Sequence, residues 1–345
     1  MTPLTEKVFL PWATSSPHPT IIPFFLPFRG CPGKCLFCAQ DVFTRVSINK
    51  AWDLQKALEA LKTTLEERLR LHLAPCELAF YGGTFTALPE AEFAMCLDFA
   101  HMAVSSGLIC ALRCSTRPDY LAPSRLELLQ KAHFTTIELG IQSFAEEVLL
   151  ATKRGYPEDI AYSACMHIKD LGFTLGVQLL PGLPKATPQT FIADVRTALS
   201  LKAELLRFYP CLVVANTGLA RLWQVGRFKP WDVPTTIDAL AAGLRIAWDA
   251  QVPVIRMGLA PQMDASAILA GPLCADLGAR VQAKALLQIV QAKAYPKRLS
   301  KLYVPKRLQG CFWGHKGEMR KDWASIGLGS RNVHFAALPY LELVF

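Results

Sequence analysis

Apolar residues recur along this chain in two alternating rhythms. Short, nearly continuous runs such as Glu77–Tyr81, Ala111–Ser115, Thr136–Ile141 and Phe173–Leu180 read as buried strands. Thr20–Phe28 and Leu205–Val214 read the same way. Between them lie longer stretches with apolar positions three or four apart. In Trp52–Leu73 these are Leu54, Leu58, Leu61, Leu65 and Leu69, the stripe of an amphipathic helix. Glu90–Ser105, Pro123–Lys131, Ala145–Ala151, Pro157–Leu171, Pro188–Leu201 and Ile237–Ala250 are predicted helices too. Six strand-then-helix units in succession predict an α/β fold, a parallel sheet with helices outside. Six suit a partial (β/α)6 TIM-like barrel better than a closed one.

The boundaries follow from where the alternation starts and fades. Residues 1–19 form an N-terminal extension, 20–252 the barrel, and 253–345 an α+β extension expected to cover the barrel mouth. Within that tail Val254–Leu259 reads as a further strand and Ala279–Ala292 as a helix. Residues 293–321 mix Lys and Arg with Tyr295, Tyr303, Phe312 and Trp313. Such a stretch fits RNA phosphates and bases, or a solvated surface around a lid.

Polar and glycine-rich phrases stand where the strands end: Tyr81-Gly82-Gly83-Thr84, Ser115-Thr116-Arg117, Gln142-Ser143 and Pro181-Gly182. In barrels built from such units the active site lies at those ends. The most telling phrase follows the first strand: Cys31, Cys35 and Cys38, spaced C-x3-C-x2-C, with no fourth thiol nearby. Iron–sulfur clusters and structural zinc both usually take four protein ligands. Three in a tight loop point to a [4Fe-4S] cluster with one open iron. Zinc completed by a distant His is the competing reading.

Composition narrows the setting. The chain has 345 residues and is 52% hydrophobic, enough for a large core. No apolar run reaches the roughly 18 residues of a membrane span. No basic start leads into an apolar core, so the expectation is a cytoplasmic protein with no membrane partner. The eleven cysteines, an odd number, suit a reducing compartment and metal ligation better than a disulfide framework. The net charge of +9 favours anionic partners.

The cysteine motif, with Phe37 before its last Cys and a place after strand one, resembles the radical S-adenosylmethionine (SAM) superfamily. Pro27-Phe-Arg-Gly-Cys-Pro32, Phe80-Tyr-Gly-Gly-Thr-Phe-Thr86, Cys114-Ser-Thr-Arg-Pro-Asp-Tyr120, Glu138-Leu-Gly-Ile-Gln-Ser143 and Lys153-Arg-Gly155 resemble the Elongator protein 3 branch over about residues 20–260. The resemblance implies a [4Fe-4S] cluster on Cys31, Cys35 and Cys38, with SAM on the fourth iron. It implies Tyr81, Gly82, Gly83 and Thr84 at the methionine moiety, where Thr84 replaces the family's acidic residue. Arg154 would meet the SAM carboxylate, Glu138 and Gln142 the ribose, and Phe37 the adenine. Arg117 stands at a strand end as a further contact, and Gln178 is a weaker interior candidate. An external electron donor of flavodoxin or ferredoxin type is implied as well.

Elongator protein 3 carries a C-terminal acetyltransferase domain, for which the stretch beyond residue 260 is too short. The substrate expected is a small metabolite or RNA. Cys311, among Gly310, Phe312, Trp313 and His315, is a candidate hydrogen donor reaching over the mouth, and Cys274 also falls in the tail. Two other classes compete with the enzyme: a haem- or cluster-binding carrier like relatives of coproporphyrinogen dehydrogenase, and an RNA-binding module with a structural cluster.

Overall fold

The computed structural model describes residues 4–11, 19–44, 52–258 and 264–345. Much of the expected 1–19 extension (residues 1–3 and 12–18) and Leu259 lie outside the described residues. In chain order, β1 (Thr5–Phe9) precedes the barrel strands β2 (Thr20–Leu26), β3 (Cys76–Gly82), β4 (Ile109–Thr116), β5 (Phe134–Gln142), β6 (Thr174–Leu179) and β7 (Leu205–Phe208). The two-residue β8 (Val213–Val214) and then β9 (Val254–Met257) follow. Strands β2 to β7 and β9 pair in that order, every neighbour parallel.

This sheet is curled, and the side chains prove it. Arg207 on β7 hydrogen-bonds the Tyr81 hydroxyl on β3. In a flat sheet four strand spacings would separate them by about 19 Å. The sheet is therefore a half-barrel, of seven strands rather than six. The seventh is Val254–Met257, which carries the barrel past residue 252. The expected strand Leu205–Val214 divides, because Pro210 has no N–H to give a ladder. Its far end, β8, instead pairs antiparallel with β10 (Ile268–Ala270).

Each parallel step needs a crossover, and the helices supply it. Leu54–Arg70 buries Leu54, Leu58, Leu61 and Leu65, and Asp53 caps it through Lys56 N at 3.2 Å. Thr187 and Thr190 form a reciprocal capping box on Pro188–Ser200. Asp232 caps Val233–Asp249 through Thr235 N at 2.8 Å. An unexpected short helix, Gly218–Gln224, follows β8.

The tail forms its own sheet of β11 (Lys301–Pro305), β12 (Val333–Ala336) and β13 (Tyr340–Val344), completed by β1, in the order β1-β13-β11-β12. Leu277–Ala294 packs on Val233–Asp249 and joins tail to barrel. The tail aromatics are mostly core: Phe312 is fully buried and stacks on Trp323 at 4.2 Å between centroids. Tyr295 alone of the four named from the sequence stands largely in solvent.

One buried acid braces the strand end that carries Gln142. Asp194, on Pro188–Ser200, accepts from Ser143 Oγ at 2.8 Å and Phe144 N at 2.7 Å. Burial pushes its carboxyl from 3.8 up to about 6, against those two hydrogen bonds. A folded pKa above the unfolded one gives stability that is full below the unfolded value and is lost as pH rises through the folded value. Asp194→Asn keeps an acceptor for Phe144 N and removes the titration. Between about pH 4 and about pH 7, wild type should lose on the order of 2–3 kcal/mol relative to the variant in urea unfolding. A pH-independent difference would show that Asp194 does not titrate there.

Candidate active site

The cysteine loop leaves β2 through a turn and is pinned on three sides. Gly83 N and Thr84 N, at the end of β3, donate to Leu26 O and Arg29 O, both at 2.8 Å. A Cβ on Gly83 would collide with the Arg29 backbone, so only glycine lets β3 lie this close to the loop. Farther along, Leu36 N donates to Thr152 O at 3.2 Å, and Leu219 N to Leu36 O at 2.7 Å. The Gln40 side chain accepts from Phe28 N and closes the turn.

Within this frame the three thiols are neighbours. Thr84 Oγ1 lies 3.3 Å from Cys31 Sγ. Cys35 Sγ accepts from Arg154 at 3.2 Å and from Arg117 at 3.6 Å. Burial pushes the Cys31 thiol up. Burial, with the charges of Cys35 and Cys31, pushes Cys38 up to about 12. Ligation must therefore expel protons from buried sulfur.

Among the described residues, no three His, Cys, Asp or Glu side chains converge as ligands of a single ion. A multi-iron cluster takes its thiolates at separate corners, and an all-sulfur donor set with two guanidiniums on one sulfur suits an anionic cluster. The donor chemistry fits a cluster better than a lone zinc.

Beside the loop, inside the half-barrel, lies a cavity of about 530 Å³. That falls in the range of small-molecule sites, roughly 300–1,000 Å³. Cys38, Phe37, Tyr81, Gly82 and Gln142 line it. Gln142 holds a left-handed backbone (φ +72°), and its amide makes no hydrogen bond among the described residues.

The remaining expected contacts fall elsewhere. Glu138 is fully buried below the cavity, with both oxygens occupied. It accepts from Tyr81 (2.7 Å), Arg113 (2.9 Å), Gln178 (3.0 Å) and Arg207 (2.5 and 3.0 Å). Burial would raise its pKa, but Arg207 and then Arg113 outweigh that and hold it below the usual carboxylate range. It is the anchor of an ion network, with no oxygen left for a ribose. Arg154 is likewise committed, to Cys35, to Gly140 O at 2.5 Å and to Tyr156 hydroxyl at 3.2 Å. Arg117 is forked onto Asp119 at 2.9 and 2.7 Å. Thr84 and Gly83 meet the cysteine loop rather than the cavity.

Cys311 is buried in the tail and donates to Leu308 O at 3.3 Å. No residue of 264–345 lines the cavity among the described residues, so Cys311 does not reach over the mouth. Cys274 sits in the tail beside Arg280, which reaches its Sγ at 3.1 Å. The cysteine in the cavity wall besides Cys38 is Cys211.

Sequence reasoning missed Arg113, Arg207, Tyr209 and Glu77. Arg113 bridges Glu138 to Glu77 at 2.5 Å. A signal was present, since a charged residue within an otherwise buried strand is rare unless paired. Glu77, Arg113, Glu138 and Arg207 place one on each of four strands. Gly176 on β6 makes the room: a Cβ there would come within 2.8 Å of Glu138 Cγ.

The sequence profile of the radical SAM superfamily matches residues 25–198. The chain belongs to the radical SAM superfamily. It is accordingly a radical SAM enzyme, and the profile of the radical SAM C-terminal domain matches residues 203–286. The tRNA uridine(34) acetyltransferase of Methanocaldococcus infernus is 28% identical over 248 residues, 61% of this chain and 46% of that protein. Elongator complex protein 3 of Schizosaccharomyces pombe is 26% identical over 213 residues, 53% of this chain and 39% of that protein. The chain thus spans about half, or less, of the length of these relatives. A solved structure of archaeal Methanocaldococcus infernus Elp3 with an N-terminal deletion matches with TM-score 0.61 and 21% identity, over 81% of this chain and 64% of that one. That likeness shows the shared half-barrel fold. No described helix is long and apolar enough to cross a membrane.

Breaking a buried pair leaves its partner charged without a counterion, at a cost of about 3–5 kcal/mol. Arg207→Leu should lower the unfolding free energy by roughly that amount in denaturant titration. A variant as stable as wild type would show that Arg207 does not hold Glu138.

Proposed function

We propose that this radical SAM enzyme holds a [4Fe-4S] cluster on Cys31, Cys35 and Cys38 and binds SAM in the adjoining cavity. Bound and reduced, the cluster would supply the electron that cleaves SAM to methionine and a 5′-deoxyadenosyl radical, which abstracts hydrogen from substrate. The supporting observation is the opening of the three-cysteine loop onto a 530 Å³ cavity at the C-terminal ends of parallel strands.

The chain's own residues divide the work. Arg154 and Arg117 place two positive charges beside the Cys35 sulfur. Thr84 orients Cys31. Phe37 offers an apolar face to the adenine. The Gln142 amide and the Gly82 backbone supply polar groups for the rest of the cofactor. Tyr81, held by Glu138 and Arg207, gives the cavity a rigid floor. Leu180, Leu212 and Ile255 keep water from the space beyond. An external flavodoxin- or ferredoxin-type donor would deliver the electron. The tRNA named for the relatives makes RNA one candidate substrate, and a small metabolite the other.

The test is anaerobic reconstitution with iron and sulfide, then dithionite and SAM. Wild type should show iron–sulfur absorbance and form 5′-deoxyadenosine; Cys31→Ala, Cys35→Ala and Cys38→Ala should each lose both. Gln142→Ala should keep the cluster and weaken SAM binding roughly tenfold, the equivalent of one lost hydrogen bond. A fully loaded wild type that forms no 5′-deoxyadenosine would overturn the proposal, and a haem titration with a Soret shift would then favour the carrier reading.

A further inference from the structure

The tail sheet carries a second surface with chemistry of its own. Strands β11 to β13 lie beyond residue 286, outside both matching profiles. Leu302, Val304, Leu341 and Leu343 point into the core and are buried. The positions between them point the other way. On a sheet with one face on the core, the other face is ordinarily polar. Here it carries rings.

One register row crosses all four strands. Lys7 on β1 faces Glu342 on β13, Glu342 faces Tyr303 on β11, and Tyr303 faces His334 on β12. Register partners share a face of the sheet. The Tyr303 and His334 rings lie 5.2 Å apart between centroids, at 30°. The next pair on that face, Phe9 and Tyr340, meets edge to face at 5.1 Å. Lys7 Nζ lies 4.6 Å from the Tyr340 ring centre. Lys7 and His334 are exposed, Phe9 is 46% exposed, and Tyr303, Tyr340 and Glu342 are half-buried.

Cross-strand ring pairs stabilise a sheet, which accounts for each contact. It does not account for the charge around them. Residues 295–345 carry nine Lys or Arg against three Asp or Glu. Lys301 extends the ring-bearing face along β11, and Arg331, just before β12, is exposed at the same end. Lys306 follows β11 at the other end and is exposed too. The four strands themselves hold two acids. Glu6 is on the opposite face and pairs with Lys293 at 3.0 Å. Glu342 is in the row.

Flat rings bordered by cations complement a chain that alternates flat bases with phosphates. We infer that the outer face of the tail sheet binds single-stranded RNA. Phe9, Tyr303 and His334 are its stacking platforms, enough for about two or three bases. Lys7 and Lys301 meet phosphates. Glu342 is an acceptor for a 2′-hydroxyl, which RNA has and DNA lacks, and so sets the preference for RNA. The surface goes beyond the radical chemistry and does not depend on it, because it grips RNA whatever the cavity does.

The test is fluorescence anisotropy on the reconstituted full chain, without SAM or reductant. The probe is a labelled single-stranded RNA of about twelve mixed nucleotides at about 0.15 M salt. Wild type should bind it, and more weakly as salt rises. Tyr303→Ile keeps a strand-forming residue and removes the ring. It should weaken binding roughly tenfold, the loss of one stacked base, and Tyr303→Phe should bind as wild type does. Lys301→Met should weaken binding and lower the salt slope by about one, with the melting temperature unchanged. Lys62→Met, on the outer face of a helix, should leave affinity and slope intact. DNA of the same sequence should bind more weakly, and Glu342→Val should remove that difference. Photo-cross-links from 5-iodouridine in the same RNA should map to residues 5–9 and 301–344. Cross-links confined to other segments overturn the inference. So does a wild type that does not bind, or an affinity indifferent to both Tyr303→Ile and Lys301→Met. Equal affinity of wild type for DNA overturns the choice of RNA. If the free chain is a dimer that Tyr303→Ile dissociates, a second copy covers the face and the inference falls.

Discussion

A carboxylate with no exposure to solvent has to be answered by the protein itself, and the half-barrel is arranged around that demand. Glu138 receives donors from β3, β4, β6 and β7, and Gly176 clears space for it on the neighbouring strand. The curl of the sheet brings those donors within reach, and the network in turn opposes flattening. Isolated buried ion pairs contribute little net stability, since desolvation offsets the attraction. A network that closes on itself instead fixes geometry. Tyr81 and Arg207 therefore present their cavity-facing surfaces at set positions.

The cysteine loop solves a different problem. It has no regular secondary structure of its own, so its shape comes from neighbours. The backbone bonds from Gly83 and Thr84 tie it to β3, Thr152 and Leu219 hold its middle, and Arg117 with Arg154 converge on Cys35. Held this way, the loop keeps the three sulfurs together at its inner side although Pro32, Gly33 and Lys34 are exposed. The two arginines are themselves fixed, by Asp119, Gly140 and Tyr156. Charge at the sulfur is thus part of the scaffold.

The order of elements was legible because it rests on local periodicity: the leucines of Leu54–Arg70 and the apolar runs of β3 to β6 announce themselves. The loop chemistry was legible because three cysteines in eight positions is a local fact. What sequence could not show was convergence in space. Glu138 and Arg154 look alike as charged residues among apolar elements, yet one faces an ion network and the other a sulfur. Arg207 hides in Leu205–Phe208 because its partner is 69 positions earlier in the chain. The strand Val254–Met257 is too short to be assigned to the barrel without its ladder to β7. Cys311 sat among aromatics that suggested a lid, and those aromatics proved to be the core of a second sheet.

That second sheet has a bearing on how the protein is made. Residues 5–9 pair with residues 340–344, so β1 leaves the ribosome long before its partner strand is made. At about 5–20 residues per second that interval is on the order of tens of seconds. The half-barrel contacts are sequential and complete themselves strand by strand during that time. Val8 meanwhile has no Leu341 to face, and the tail sheet cannot close until β13 has been made. Closure of the tail sheet is therefore a late event, separated in time from formation of the cysteine loop.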